Sequence, residues 1–316
     1  MYYVWIIDDK LAVSPMPNIS EIPDLASIFT GVAVLIEPHE AFGSIDYYLE
    51  QWALYGVNVY YAPTPDFHPV DLLELYRISK WIDEELRRGG RVLIHCMGGV
   101  GRSGLTVAAY LVYRGKEIYD AIQHVASKRP GALENLGQRR MLEDFYILVN
   151  NVDKEEFSKH LQSAGKHRFG KGIRHASKTL QFIIDLVDYL AIDDINRKNL
   201  FYAALYHCID KEILTELFRK RELEKPIYNI VDKYKEKVFI DKEPILLTIG
   251  HSLDSTYDGR LVIMESDTYP DKTILTLYCD LDCSPNIKEA LQYLSYLEKT
   301  IEKKIDLIEQ PYVSYI

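Results

Sequence analysis

Cys96, followed six positions later by Arg102 in a run of glycines, is the arrangement in this sequence best suited to covalent chemistry. The run reads Arg91-Val92-Leu93-Ile94-His95-Cys96-Met97-Gly98-Gly99-Val100-Gly101-Arg102-Ser103-Gly104. An apolar strand leads into a turn, and the turn opens a helix. Successive backbone N–H groups in such a turn point inward, and the helix terminus adds partial positive charge, so the turn seats a tetrahedral anion. Met97, Gly98, Gly99, Val100 and Gly101 are the expected floor of that seat. The glycines are expected there because a side chain would fill the space or forbid the backbone conformation. The planar fork of Arg102 matches two oxygens of a phosphoryl group. A free thiol titrates near ~8.5, and helix N-termini and cations bring it to roughly 3.5–7.5. Cys96 is therefore expected as a thiolate nucleophile at neutral pH. Ser103 is placed to hydrogen-bond the sulfur and help it depart. His95 is expected to order the loop, because a preformed thiolate needs no base.

A departing phenolate or alkoxide needs a proton. Thr64-Pro65-Asp66-Phe67-His68-Pro69 follows an apolar run at 57–61, which puts it at the carboxyl edge of a sheet, where open α/β folds bind ligands. Asp66 is the expected general acid. Asp71 is the second choice, since it falls where a helix cap belongs.

The elements that must hold these residues alternate between strand and helix, the pattern of an α/β domain. Strands are expected at 3–7, 11–14, 32–36, 57–61 and 92–95, with helices at 44–54, 70–88, 103–113, 118–127 and 135–150. Ser44 is the expected cap of the first of these helices. Arg129-Pro130-Gly131 breaks the last two apart. Beyond them come apolar helical faces at Leu180, Ile183, Ile184, Val187 and Leu190 and at Leu200, Ala203, Ala204 and His207. Strands at 261–264 and 273–278, a helix at 287–303 and a last strand at 306–308 follow.

His95-Cys96 and Arg102-Ser103 with five residues between them, and Asp66 upstream, resemble the cysteine-dependent protein tyrosine and dual-specificity phosphatases, above all their small archaeal-type members. The resemblance covers about residues 1–150 and includes the Pro-Asp-Phe turn and Arg129-Pro130-Gly131 with Gln138. It implies a phosphatase-like central sheet flanked by helices, and a role for Gln138 in positioning the water that hydrolyses a phosphocysteine. It implies hydrolysis of phosphotyrosine, and of phosphoserine or phosphothreonine, in a phosphorylated protein substrate, with no cofactor. A phosphoprotein-binding module is the alternative, although its usual mark, a lost Cys, Arg or Asp, is absent here. The same chemistry on a small phosphorylated metabolite or an RNA 5′ phosphate is another. The loop interior holds no Lys, which counts against highly phosphorylated inositol lipids.

The domain organisation expected is a catalytic domain at 1–152, a basic linker at 153–174 and a mainly helical second domain at 175–316 with a small terminal β element. Between Glu156 and Asp185 no acid occurs, while Lys159, Lys166, Arg168, Lys171, Arg174 and Lys178 accumulate. A solvated linker is the preferred reading of that stretch over a polyanion site. The second domain resembles a degenerate HD-type phosphohydrolase with an exopolyphosphatase-like tail. Cys208 stands where that pattern has a paired Asp, and His251 where it has a later one. His175, His207, Cys208 and His251 are zinc-type donors. Neighbours on one helix share a tetrahedral site poorly, however, so the expected role is packing or binding a protein partner, with no metal.

The chain has 316 residues, 47% of them hydrophobic and 27% charged, with a net charge of −10. That balance excludes disorder as the dominant state and argues against nucleic-acid binding, which needs cations to displace counterions. No apolar run reaches the ~20 residues of a membrane-spanning helix, and the first ten residues lack the form of a secretory signal. A cytoplasmic location without membrane attachment is expected. There Cys279 and Cys283, although close enough in sequence to bridge, are expected as free thiols.

Overall fold

The computed structural model describes residues 3–313 apart from 42, 134, 220, 222 and 223. The chain divides near Tyr146–Ile147 into two compact units.

In the first unit, β1 (Val4–Ile7), β2 (Leu11–Ser14), β3 (Gly31–Val34), β4 (Asn58–Tyr61) and β5 (Val92–His95) form one sheet in the order β1-β2-β5-β3-β4. β1 runs antiparallel to β2, and every other pair is parallel. β5 is central, and Val92, Leu93 and Ile94 are fully buried. A strand covered on both faces can be apolar at successive positions, which explains the unbroken Val-Leu-Ile run. Register fixes the site: His95 lies level with Ser14 of β2 and Val34 of β3. The loops leaving β2, β3 and β5 therefore emerge at one edge of the sheet.

The helices of this unit are α1 (Ile22–Ala26), α2 (Ile45–Leu54), α3 (Leu72–Arg87), α4 (Gly101–Tyr113) and α5 (Ile118–Lys128), and α6 (Leu136–Asn151) begins in it. Tyr48 and Trp52 of α2 close an apolar cluster with Ala12, Val32, Val34 and Leu93 from the sheet. α3 buries Leu72, Leu75, Tyr76, Ile78 and Ile82, a stripe at helical spacing. Ser44 and Asp71 sit at the N-cap positions of α2 and α3, but neither makes a side-chain capping bond.

The second unit holds α7 (Lys154–Gly165), α8 (Ile173–Tyr189), α9 (Arg197–Tyr206), α10 (Lys211–Phe218), α11 (Lys225–Lys235) and α12 (Lys242–Ser252). β6 (Leu261–Thr268), β7 (Lys272–Cys279), α13 (Ser284–Ile301) and β8 (Lys304–Pro311) complete it. β6 and β7 pair antiparallel, while β7 and β8 pair parallel across the α13 connection.

Two expectations are corrected here. Residues 153–174 are not a bare linker, because α7 fills most of that span. It buries Phe157, His160, Leu161 and Ala164, with Asp153 accepting a capping bond from the Glu156 amide. Its apolar stripe was hidden by the surrounding cations, of which Lys178 is itself buried on α8 and donates to the Val262 carbonyl at 2.9 Å. Cys279 and Cys283 are joined as a disulfide rather than free. One ends β7 and the other caps α13, and that turn brings their Cα atoms to 6.2 Å, within bridging range.

Candidate active site

Cys96 directly follows β5 and is only 3% exposed. The Gly99 amide donates to its Sγ at 3.2 Å, and the Ser103 hydroxyl lies 3.5 Å from it. Arg129 supports the loop from behind: its Nε donates to the Gly99 carbonyl at 2.9 Å and its Nη2 to the Gly98 carbonyl at 2.8 Å. Holding the Gly98 carbonyl away from the sulfur turns the Gly99 amide toward it. The Met97 carbonyl accepts from the Met16 amide at 3.1 Å, tying the loop to the segment after β2.

Gly99 has a φ of +68°, and a Cβ there would lie 2.3–2.5 Å from the Ser14 carbonyl and the Pro15 nitrogen. Backbone approach and backbone angle thus both require glycine. A Cβ on Gly101 would meet Nε2 of Gln138 at 2.7 Å. The buried Gln138 side chain therefore reaches the loop from α6. A Cβ on Gly98 would meet no described protein atom within 4 Å.

Arg102 is 1% exposed and joins three segments. Its Nη1 and Nη2 donate to the two carboxylate oxygens of Glu40 at 2.6 and 2.7 Å. Nη1 also donates to the Thr64 carbonyl at 2.7 Å, and Nη2 lies 3.0 Å from Oδ1 of Asp66. Burial alone would weaken the guanidinium's hold on its proton, but the bonds and charge of Glu40, with Cys96 and Asp66 nearby, outweigh that and raise its pKa. Glu40 shows the reciprocal result: burial raises its carboxyl, yet Arg102 and the Glu37 amide bring it below the ordinary value. Glu40 is the site residue that sequence reasoning missed. It belongs to a short turn, Pro38–Glu40, and its partner lies 62 residues later, a pairing no local pattern announces.

Asp66 sits at the mouth of this arrangement with its side chain 52% exposed. Its own loop positions it: the Phe67 amide donates to Oδ1 at 3.0 Å, and the His68 ring Nδ1–H donates to the Asp66 carbonyl at 3.0 Å. Phe67 has a φ of +61° and is exposed, as is Met97. The site thus unites Cys96, Arg102, Asp66, Ser103 and Gln138, while Asp71 remains at the start of α3 with no bond to Arg102 among the described residues.

His95 is fully buried, with Nε2 3.1 Å from the Tyr48 hydroxyl and Nδ1 3.4 Å from the Cys96 carbonyl. Burial, with the Arg102 charge adding to it, pushes its pKa down from 6.5 to about 4. The unfolded chain therefore takes up this proton before the folded one. Stability from the neutral His95 is fully present above pH 6.5 and is lost as pH falls toward about 4. The expected slope is about 1.4 kcal/mol per pH unit in that window. Urea unfolding at stepped pH, followed by tryptophan fluorescence, reads this in the first unit alone, since Trp5, Trp52 and Trp81 are the chain's 3 tryptophans. His95→Asn is expected to flatten the slope, and an unaltered slope would contradict the assignment.

Comparison with known proteins matches residues 62–147 to the family described as dual specificity phosphatase, catalytic domain. Dual specificity protein phosphatase 1 of Arabidopsis thaliana is 47% identical over 75 residues, which is 23% of this chain and 38% of that protein. Phosphatidylglycerophosphate phosphatase PTPMT2 of the same plant is 27% identical over 154 residues, 48% of this chain and 66% of that protein. The chain thus spans less than two thirds of either relative. Among solved structures, the active form of Tk-PTP is 40% identical, covering 46% of this chain and 96% of that one, with a TM-score of 0.43.

Proposed function

Because the N-terminal half of this chain carries a dual specificity phosphatase catalytic domain, we propose that it hydrolyses phosphoryl monoesters on proteins through a phosphocysteine. Phosphotyrosine is the first substrate proposed, and phosphoserine and phosphothreonine the second. The observation that carries this reading is the convergence of the Cys96 sulfur, the Gly99 amide, the Ser103 hydroxyl and the Arg102 fork at the edge of β5.

In the first step the Cys96 sulfur attacks phosphorus in line. The S–P bond forms as the P–O bond to the leaving group breaks, and the Asp66 carboxyl gives that oxygen its proton. A guanidinium has five N–H donors. Here Nη1 serves Glu40 and Thr64, and Nη2 serves Glu40 and Asp66. When Asp66 turns to the leaving oxygen, one Nη2–H and the Nε–H remain for two equatorial oxygens, with the loop amides taking the third. In the second step water attacks the phosphocysteine, Asp66 accepts its proton, and the sulfur leaves toward the Ser103 hydroxyl. Gln138, lying over Gly101, orients that water. The exposed Phe67 and Met97 give the mouth an apolar rim suited to an aryl ester.

The test compares leaving groups. Asp66→Asn is expected to lower kcat/KM, which reports the first step without the later hydrolysis of the phosphocysteine, by about 10²–10⁴-fold on a phosphotyrosine peptide. The fall should be far smaller on p-nitrophenyl phosphate, whose leaving oxygen needs no proton. Asp71→Asn is expected to change neither. Equal loss on both substrates would remove Asp66 from the acid role. A panel adding phosphoserine and phosphothreonine peptides and a glycerophosphate ester tests the substrate class. Hydrolysis confined to the glycerophosphate ester would overturn the protein-substrate reading while leaving the chemistry in place.

A further inference from the structure

Four donor side chains that the phosphatase chemistry does not use meet inside the second unit. His175 lies on α8, His207 directly follows α9, Cys208 is in the turn beyond, and His251 lies in the last turn of α12. Their donor atoms all fall within 4.8 Å of one another. His175 Nε2 is 3.0 Å from His251 Nδ1 and 3.1 Å from His207 Nε2, and Cys208 Sγ is 3.8 Å from His251 Nδ1. Metal–nitrogen bonds of about 2.0–2.1 Å and a metal–sulfur bond of about 2.3 Å, arranged tetrahedrally, set nitrogens about 3.3 Å apart and nitrogen about 3.6 Å from sulfur. These three spacings lie within a few tenths of an ångström of those values, and the remaining donor pairs fall inside 4.8 Å.

The hydrogen bonds directed away from the cluster decide what faces into it. Asp254 Oδ2 accepts from His175 Nδ1 at 2.7 Å, and the Ala204 carbonyl accepts from His207 Nδ1 at 2.8 Å. A carbonyl oxygen can only accept, so the His207 proton sits on Nδ1 and Nε2 presents its lone pair. The Asp254 carboxylate, its other oxygen held by the Gly259 amide at 3.2 Å, draws the His175 proton to Nδ1 in the same way. Two imidazole lone pairs then face each other at 3.1 Å, which repels unless a cation lies between them. Carboxylate–histidine and carbonyl–histidine pairs are the outer partners that orient metal-bound imidazoles.

The sequence objection, that adjacent residues on one helix share a site poorly, does not hold in the fold. α9 ends at Tyr206, with His207 as its C-cap and Cys208 in the turn beyond, and the donor atoms of both fall within 4.8 Å of those of His175 and His251. Close packing sets both sides. A Cβ on Gly170 would lie 2.1 Å from the Cys208 carbonyl oxygen, and one on Gly250 would lie 2.8 Å from Ile183 on α8. Gly250 thus lets α12 approach α8 closely enough for His251 to reach His175. The rings of Tyr234 and Tyr257 pack against the imidazoles.

We propose that His175, His207, Cys208 and His251 hold one zinc-class divalent ion. Three imidazoles and one thiolate are donors that zinc accepts and magnesium does not. Four protein ligands leave no position for a water, so the ion ties α8, α9 and α12 together and is not a hydrolytic centre.

The test uses the full chain, stripped of metal and titrated with cobalt(II) without added thiols, with circular dichroism checking helix content in every sample. One equivalent is expected to give the intense visible bands of tetrahedral cobalt and a thiolate-to-cobalt charge-transfer band, and one equivalent of zinc to bleach both. Cys208→Ser should lose the charge-transfer band, whereas Cys96→Ser should keep it. X-ray absorption of the zinc-loaded wild type reads the same ligands without a variant, with three nitrogens and one sulfur expected. A folded chain that takes up no stoichiometric cobalt overturns the site and leaves a proton as the cation between the imidazoles. A zinc shell without sulfur, or a charge-transfer band surviving in Cys208→Ser, overturns the ligand set.

Discussion

Replacing Cys96 with serine is expected to lower turnover by about 10⁴–10⁶-fold, the scale seen when a nucleophile is removed from a site whose remaining parts stay assembled. An un-ionised hydroxyl is a poor nucleophile toward phosphorus, and among the described residues the side chains next to the sulfur supply it no base. His95 is committed to Tyr48 and to the Cys96 carbonyl, and Ser103 is itself a hydroxyl. Binding should survive, because the anion seat does not depend on the sulfur. Arg102 stays fixed by Glu40 and Thr64, and Arg129 still holds the Gly98 and Gly99 carbonyls. Titration calorimetry with a phosphotyrosine peptide should therefore give an affinity within a few-fold of the wild-type KM, with no product released. Substantial turnover in this variant would place the nucleophile elsewhere and remove the phosphocysteine mechanism.

What could be read from the sequence was what the chain holds locally. β5, the glycine turn and α4 are contiguous, so the sulfur, the amides and the arginine could be placed together from spacing alone. Asp66 was legible because proline brackets its loop and an apolar strand precedes it. Glu40 was not, since its bond to Arg102 depends on β3 and β5 lying side by side with Val34 level with His95. Arg129 was visible as a helix break and within the family resemblance, while its contacts with Gly98 and Gly99 arise from tertiary packing. In the second unit, charge masked structure. The lysines on and after α7 suggested a solvated linker, whereas Phe157, Leu161 and Ala164 carry a buried stripe between them. His207 and Cys208 misled for a related reason: periodicity extended the helix through His207, and the backbone ends it one residue earlier.

Arg102→Lys carries the second large expected effect, a fall in kcat/KM of about 10³–10⁵-fold, the range attributed to an arginine that stabilises a transferring phosphoryl group. The substitution keeps the charge and loses the geometry. An ammonium is a point donor, whereas the guanidinium here grips both oxygens of Glu40, reaches the Thr64 carbonyl and still offers N–H groups to the phosphoryl oxygens. Lysine at this position must choose between Glu40 and the substrate. If it turns to the substrate, the nearly buried Glu40 carboxylate loses its partner, at a cost of about 1–3 kcal/mol or more in stability. If it stays with Glu40, the equatorial oxygens lose their fork. Glu40→Gln separates the two duties. It preserves the shape of the contact and weakens only the grip that orients the guanidinium, so a loss of about 10-fold is expected, mostly in kcat. p-Nitrophenyl phosphate is the substrate for both measurements, because its leaving group takes Asp66 protonation out of the comparison. Arg102→Lys retaining kcat/KM within ten-fold of wild type would mean that the arginine is a strut joining Glu40 to Thr64, and that the loop amides alone hold the phosphoryl group.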